Sequence, residues 1–203
     1  RTAGIEAHGI LAEASAKARV VATTVDTAGN GAVGILAISN ADAVEVQAGQ
    51  VTTAGEGAVG IDASAGGDIS VAATGVETAG EGAHGIRAQS SGGDIDIATG
   101  GVDVTGAAAV AVAAVAETGD VSIRATGDVR SAQSWAIDAS AAAGSILLEV
   151  GAGSAVEGGV RLHSLSGSTI NINGEIIGAG GDALVVSGGA ATVNNHSNTI
   201  IGS

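Results

Sequence analysis

V-E-T-A-G-E-G-A-H-G-I-R-A-Q-S-S-G-G-D-I-D-I, residues 76–97, restates V-T-T-A-G-E-G-A-V-G-I-D-A-S-A-G-G-D-I-S-V, residues 51–71. A third copy opens at Val25 with V-D-T-A-G-N-G-A-V-G-I-L-A, and a fourth at Arg1 with R-T-A-G-I-E-A-H-G-I-L-A. Degenerate copies begin near Val102, Val129, Val156 and Ile177. A period of about 25 residues belongs to solenoids and propellers, whose units cannot bury an apolar face alone and must stack.

Three sets of apolar columns run through the copies. The first is Ile10, Ile35, Ile61, Ile86, Val112, Ile137, Leu162 and Val186, followed two residues on by Ala12, Ala37, Ala63, Ala88, Ala114 and Ala139. The second is Val44, Ile69, Ile95, Val121, Ile146 and Ile170, then Val46, Val71, Ile97, Ile123, Leu148 and Ile172. The third is Val25, Val51, Val76, Val102 and Val129, then Thr27, Thr53, Thr78, Val104 and Ser131. Alternation by two is the strand period, and the β-branched residues and glycine-rich breaks argue against helix. The pattern predicts an all-β parallel β-helix with three short strands per coil and roughly eight coils. At the strand spacing such a rod is about 40 Å long. A propeller blade needs four antiparallel strands and about 40 residues, more than this unit holds. Residues 1–203 read as a single array, with both ends resembling cuts in a longer solenoid and no terminal caps.

Composition agrees. There is no Phe, Tyr, Pro, Cys or Met, and Trp135 is the one aromatic residue. Stacked Val, Ile, Ala and Thr can fill a narrow interior without aromatics, and proline would remove ladder donors. Glycine, at 35 residues, suits corners. The net charge of −14 keeps a β-rich rod soluble, and no basic stripe for nucleic acid is present. The basic residues, Arg1, Lys17, Arg19, Arg87, Arg124, Arg130 and Arg161, read as scattered. No apolar run is long enough to span a membrane as a helix.

The unit Gly82 to Ile97 resembles passenger-domain repeats of Gram-negative autotransporters and related large surface adhesins. The stretch G-E-I-I-G-A-G-G-D-A-L-V-V-S-G-G-A-A-T-V-N-N, from Gly174, resembles the adhesin repeats that run towards a membrane-anchoring barrel. The resemblance implies a right-handed parallel β-helix, secretion across an outer membrane and surface display. Anchoring would lie in sequence outside this piece.

Several constellations qualify as sites and are weighed against their structural roles. Asp68, Asp94 and Asp120 precede strands in register, about 5 Å apart when stacked. They are candidate calcium ligands or, more simply, turn carboxylates accepting backbone N–H bonds. Asp26, Glu77 and Asp103 form a second acidic column, interrupted by Thr52, and Asp62, Arg87 and Asp138 share an outward one. Because these follow the repeat, they read as solvated faces rather than an acid–base pair. His8 and His84 lie in an otherwise apolar column with Val33, Val59, Val110, Trp135, Val160 and Leu184, too far apart to share zinc. Trp135 is expected to pack rather than to stack on sugar. Thr2, Thr27, Thr53 and Thr78 predict an inward ladder with hydroxyls bonded along the stack. Asn171, Asn173, Asn194, Asn195 and Asn198 predict amide ladders.

No catalytic motif, cofactor or metal site is expected, so the reading is a non-catalytic, extracellular, structural and adhesive β-helical stalk with an unidentified surface ligand. Two alternatives are a subunit of a self-assembling filament, through end-to-end or lateral association, and a carbohydrate lyase or hydrolase on the same fold. The expected core is Ile10, Ile35, Ile61, Ile86, Val112, Ile137, Leu162, Val186, Ile69, Val71, Ile95, Ile97, Val121, Ile123, Ile146 and Leu148.

Overall fold

The computed structural model describes residues 2–197 and 199–202. Among them every element is a strand, every pairing is parallel, and each strand pairs with its copies in the adjacent coils, on one side only at the two ends. The chain is a parallel β-solenoid of eight coils. One wall is an eight-stranded sheet made of Ile10–Ala14, Ile35–Ser39, Ile61–Ala65, Ile86–Ser90, Val112–Ala116, Ile137–Ala141, Val160–Ser164 and Leu184–Gly188.

The opposite wall is a fourteen-stranded sheet that forks. In its N-terminal part the second and third column sets are fused, so Ala18–Ala28, Val44–Ala54 and Ile69–Ala79 are single eleven-residue strands. From the fourth coil on they separate. Ile69–Ala79 pairs through its first half with Ile95–Thr99 and through its second with Val102–Val104. Three strands per coil therefore holds only beyond the fork. The sequence reason is Gly100-Gly101 at the bend, followed in later coils by Thr126-Gly127-Asp128, Gly151-Ala152-Gly153-Ser154 and Asn173-Gly174. Glycine weakens a strand interior, and extra residues interrupt the ladder.

The columns meet as side-chain stacks. Ile61, Ile86, Val112 and Ile137 are paired in register and all fully buried. Ile35, Leu162, Ile69, Val71, Ile95, Ile97, Val121, Ile123, Ile146 and Leu148 are buried with them. Ile10 and Val186, in the first and last coils, are only half-buried and pack against the core from its ends.

The register of the last coils differs from the columns read from sequence. Val160, not Leu162, pairs with Ile137, and Leu162 pairs with Ala139. Likewise Ser168 lies opposite Ile146, Ile170 opposite Leu148 and Ile172 opposite Val150. Ile176, not Ile177, continues the valine column through Val156. The corner Ala132-Gln133-Ser134-Trp135-Ala136 shrinks to Gly158-Gly159 one coil later, so a count based on a constant period overshoots. The slips in the first two column sets are of two residues, which keeps every side chain on its own face. At Ile177 the slip is of one, which placed a half-buried residue where the buried Ile176 belongs.

The T-A-G-x-G corner shows why two glycines recur. Gly29, Gly55 and Gly80 have φ of 141°, 137° and 138°, and Gly31, Gly57 and Gly82 have φ of 68°, 67° and 65°. Glu6 and Ala108 occupy the second position with φ of 53° and 54°. A left-handed conformation costs an L-residue about 1–2 kcal/mol, partly offset by the extra unfolded-chain freedom of glycine, about 0.5–1 kcal/mol. Ala108 is exposed and loses no packing. Ala108→Gly should therefore raise stability by about 0.5–1 kcal/mol in urea unfolding. A loss of stability would show that the corner is not strained.

Candidate functional site

The acidic turn column forms as a ladder between coils. Asp68 Oδ1 accepts the backbone N–H of Asp94 at 3.0 Å, Asp94 Oδ1 that of Asp120 at 2.8 Å, and Asp120 Oδ1 that of Ser145 at 2.7 Å. Each carboxylate thus closes the turn of the next coil, whereas an Asx turn would use its own. All three are exposed. No group of three or more His, Asp or Glu side chains that could hold a metal ion occurs among the described residues.

Arg1 lies outside the described residues; the other basic residues, expected to be scattered, are instead paired. Arg19 lies opposite Glu45, Arg87 opposite Asp62, Arg124 opposite Glu149, Arg130 opposite Glu157 and Arg161 opposite Asp138. Every one of these register pairs is an ion pair. Arg87 donates through Nε to Asp62 Oδ1 at 3.0 Å and through Nη2 to Oδ2, and Arg161 grips Asp138 in the same two-pronged way. Asp62 is buried at 8% exposure, so its pair carries more weight than the solvated ones. Lys17 and Arg19 together hold the Glu45 carboxyl below its ordinary value. The missed signal was opposite charges about one repeat apart: strand registry places such residues face to face. Asp26, Thr52, Glu77 and Asp103 do form one column, which continues into Arg130.

His8 and His84 each cap the following coil. His8 Nδ1 accepts the Val33 N–H at 3.1 Å, and His84 Nδ1 accepts the Val110 N–H at 2.9 Å. Val160 and Leu184, grouped with them by sequence, belong instead to the Ile137 column. Burial, and then the positive Arg87, hold the His84 imidazole below the ordinary histidine range, while the Asp62 and Asp138 carboxylates pull the other way. Only the neutral ring can accept the Val110 bond. The unfolded chain therefore takes up a proton first, and stability falls as pH drops through about 6.5, levelling off below the folded value. His84→Val, which restores the residue found at Val33, Val59 and Val110, should remove that part of the acid loss. Urea unfolding at about pH 7.5 and about pH 5.5 checks it, and an unchanged difference between the two would overturn it.

Trp135 is half-buried, and the Arg161 guanidinium lies 5.6 Å from its ring centre. An arginine already paired with Asp138 thus covers one face of the ring. Thr27, Thr53 and Thr78 are buried as expected, but their hydroxyls do not bond along the stack. They donate within their own coil to the carbonyls of Ala32, Ala58 and Ala83 at 3.3, 2.8 and 2.8 Å. Where Val104 replaces threonine, Ser131 of the next coil reaches back to the Ala109 carbonyl at 2.8 Å. The buried corner carbonyl needs a donor, and the sequence supplies one either way. Among the described residues the amide ladder has the rung Asn194 Nδ2 to Asn171 Oδ1 at 2.8 Å. Asn195 Oδ1 accepts the backbone N–H of Ser197, and Asn198 lies outside the described residues.

An open groove of about 680 Å³ runs along the bend of the forked sheet, among Ala22, Ala48, Ala73, Thr99 and Thr126. Its lining carries no charged side chain. The cross-coil ion pairs sit elsewhere on the surface. Comparison with protein-family models, curated proteins and solved structures finds no match. The chemistry of this surface must stand on its own geometry.

Proposed function

We propose that this chain is a non-catalytic, extracellular, structural and adhesive stalk of a bacterial surface protein. The cross-coil pairing of Arg19, Arg87, Arg124, Arg130 and Arg161 carries the reading. Cations that would bind a substrate or orient a carboxylate are already committed to holding coils in register. Most carboxylates follow the repeat, whereas acid–base chemistry needs a local departure from it. Glu77, Asp103 and Asp128 do meet in one shallow pocket, but its cation, Arg130, is already held by Asp128 and Glu157. The even coils suit a spacer that displays a surface at a distance. The likeness of residues 82–97 to surface-adhesin repeats supports the extracellular setting.

Antibody against the folded rod, applied to intact and lysed cells of the source organism, tests the location. Labelling only after lysis would remove the extracellular part of the reading. Incubation with a panel of acidic and neutral polysaccharides tests the chemistry: no turnover is expected. Turnover abolished by Asp94→Ala or Asp138→Ala would replace the stalk by an enzyme. Particles that lengthen with protein concentration under the electron microscope would replace it by a filament subunit.

A further inference from the structure

Two asparagines in the chain precede glycine, Asn30 and Asn173. Such a pair can react without any catalyst. The glycine amide nitrogen attacks the carboxamide carbon, forming a new N–C bond while the bond to the side-chain nitrogen breaks. Ammonia leaves, carrying the proton the glycine nitrogen gave up, and a five-membered succinimide remains. Water then opens either carbonyl of the ring, giving aspartate or isoaspartate. The reaction needs the glycine nitrogen and the carboxamide free to meet.

The fold treats the two pairs in opposite ways. Asn30 Oδ1 accepts the backbone N–H of Glu56 at 3.2 Å, and the Gly31 N–H donates to the Glu56 carbonyl at 2.8 Å. One residue of the next coil thus holds both the electrophile and the nucleophile. Asn173 is exposed, and its side chain makes no hydrogen bond among the described residues. The Gly174 N–H also has no partner among them. The chain on either side is tied down, since the Asn173 N–H donates to the Val150 carbonyl and the Glu175 N–H to that of Ser154, both at 2.9 Å. Between these anchors the pair borders a pocket of about 280 Å³, with Glu175, Ser197 and Thr199 around it; Asn173 is open to solvent there, while Gly174 is itself buried against the Ser154 and Gly151 carbonyls.

We propose that Asn173 is a site of spontaneous deamidation and that Asn30 is a protected one. The product adds a carboxylate next to Glu175. In the isoaspartate form it also lengthens the main chain by one methylene beside the Val150 bond. Modification therefore loosens the seventh and eighth coils and spares the rest. This inference is independent of the stalk reading.

The test is peptide mapping by mass spectrometry of the intact folded chain during incubation at mildly alkaline pH, with enzymatic labelling of isoaspartate. Asn173 should convert faster than Asn30 by roughly tenfold or more, because reaction at Asn30 requires two hydrogen bonds to open first. In denaturant the two should convert at comparable rates. Asn173→Gln, at an exposed and unpaired side chain, should fold normally and block conversion there. Equal rates in the folded chain, or faster loss at Asn30, would overturn the proposal. So would an inert Asn173 in the folded chain that reacts once denatured, since the fold would then protect both.

Discussion

Gly80→Val is expected to unfold the rod from its middle. Gly80 has φ of 138°, and a Cβ placed there would lie 2.1 Å from the Gly55 carbonyl oxygen. That oxygen belongs to the main chain of the coil below and cannot step aside alone. Gly106 of the coil above is closer still, its Cβ position lying 1.6 Å from the Gly80 oxygen. Backbone strain of about 1–3 kcal/mol and overpacking of a similar size give a loss of about 2–6 kcal/mol. Gly57→Val is the control: its φ of 67° is also positive, but nothing lies within 4 Å of its Cβ position. Thermal and urea unfolding should rank Gly80→Val well below Gly57→Val. Equal losses would mean that backbone angle alone, and not the close stacking of corners, makes these glycines necessary.

The second large effect concerns position along the rod. Ile86→Ala removes a fully buried side chain stacked between Ile61 and Val112, and should cost about 2–5 kcal/mol. Ile10→Ala acts on a half-buried side chain of the first coil, which can fray, and should cost less than about 1 kcal/mol. Hydrogen exchange should show the same gradient, with the amides of Ile86 and Ile97 slow and that of Ile200 fast. Equal protection throughout would mean that something covers the end coils.

Most of the fold could be read from residues 1–131, where the copies keep their spacing and Val, Ile and Ala recur in register. The reading failed where the spacing changed. Gly158-Gly159 gives no hint in itself that it stands for the five-residue corner around Trp135. With two apolar residues at alternate positions, either alignment of Val160 and Leu162 satisfies the pattern. Only the backbone pairing separates them, because a slip of two leaves the buried face unchanged. The fusion of two strands into one at Ile69–Ala79 was equally hidden, since a bend and a break have the same side-chain alternation.

The surface chemistry was partly legible. The acidic column at Asp68, Asp94 and Asp120 was in place, but its partners are amides one coil away, which no local turn rule identifies. The threonine hydroxyls were expected to run along the axis, and instead they close corners within a coil. The arginine pairs were the clearest omission. Arg87 and Asp62 are separated in sequence by one repeat, and in a solenoid that separation is contact.

The forked sheet makes the two halves of the molecule mechanically unequal. Up to Ala79 each coil carries along one wall a single eleven-residue strand, paired with its neighbour on both sides of one gap at Thr23, Gly49 and Thr74. Beyond it the same wall is two narrow ribbons with a glycine-bearing seam between them. Bent sideways or pulled, such a beam does not flex evenly. A sideways load is shared by one wide strand per coil before Ala79 and by two narrow strands per coil after it, with the seam between them as the place where they can shift against each other.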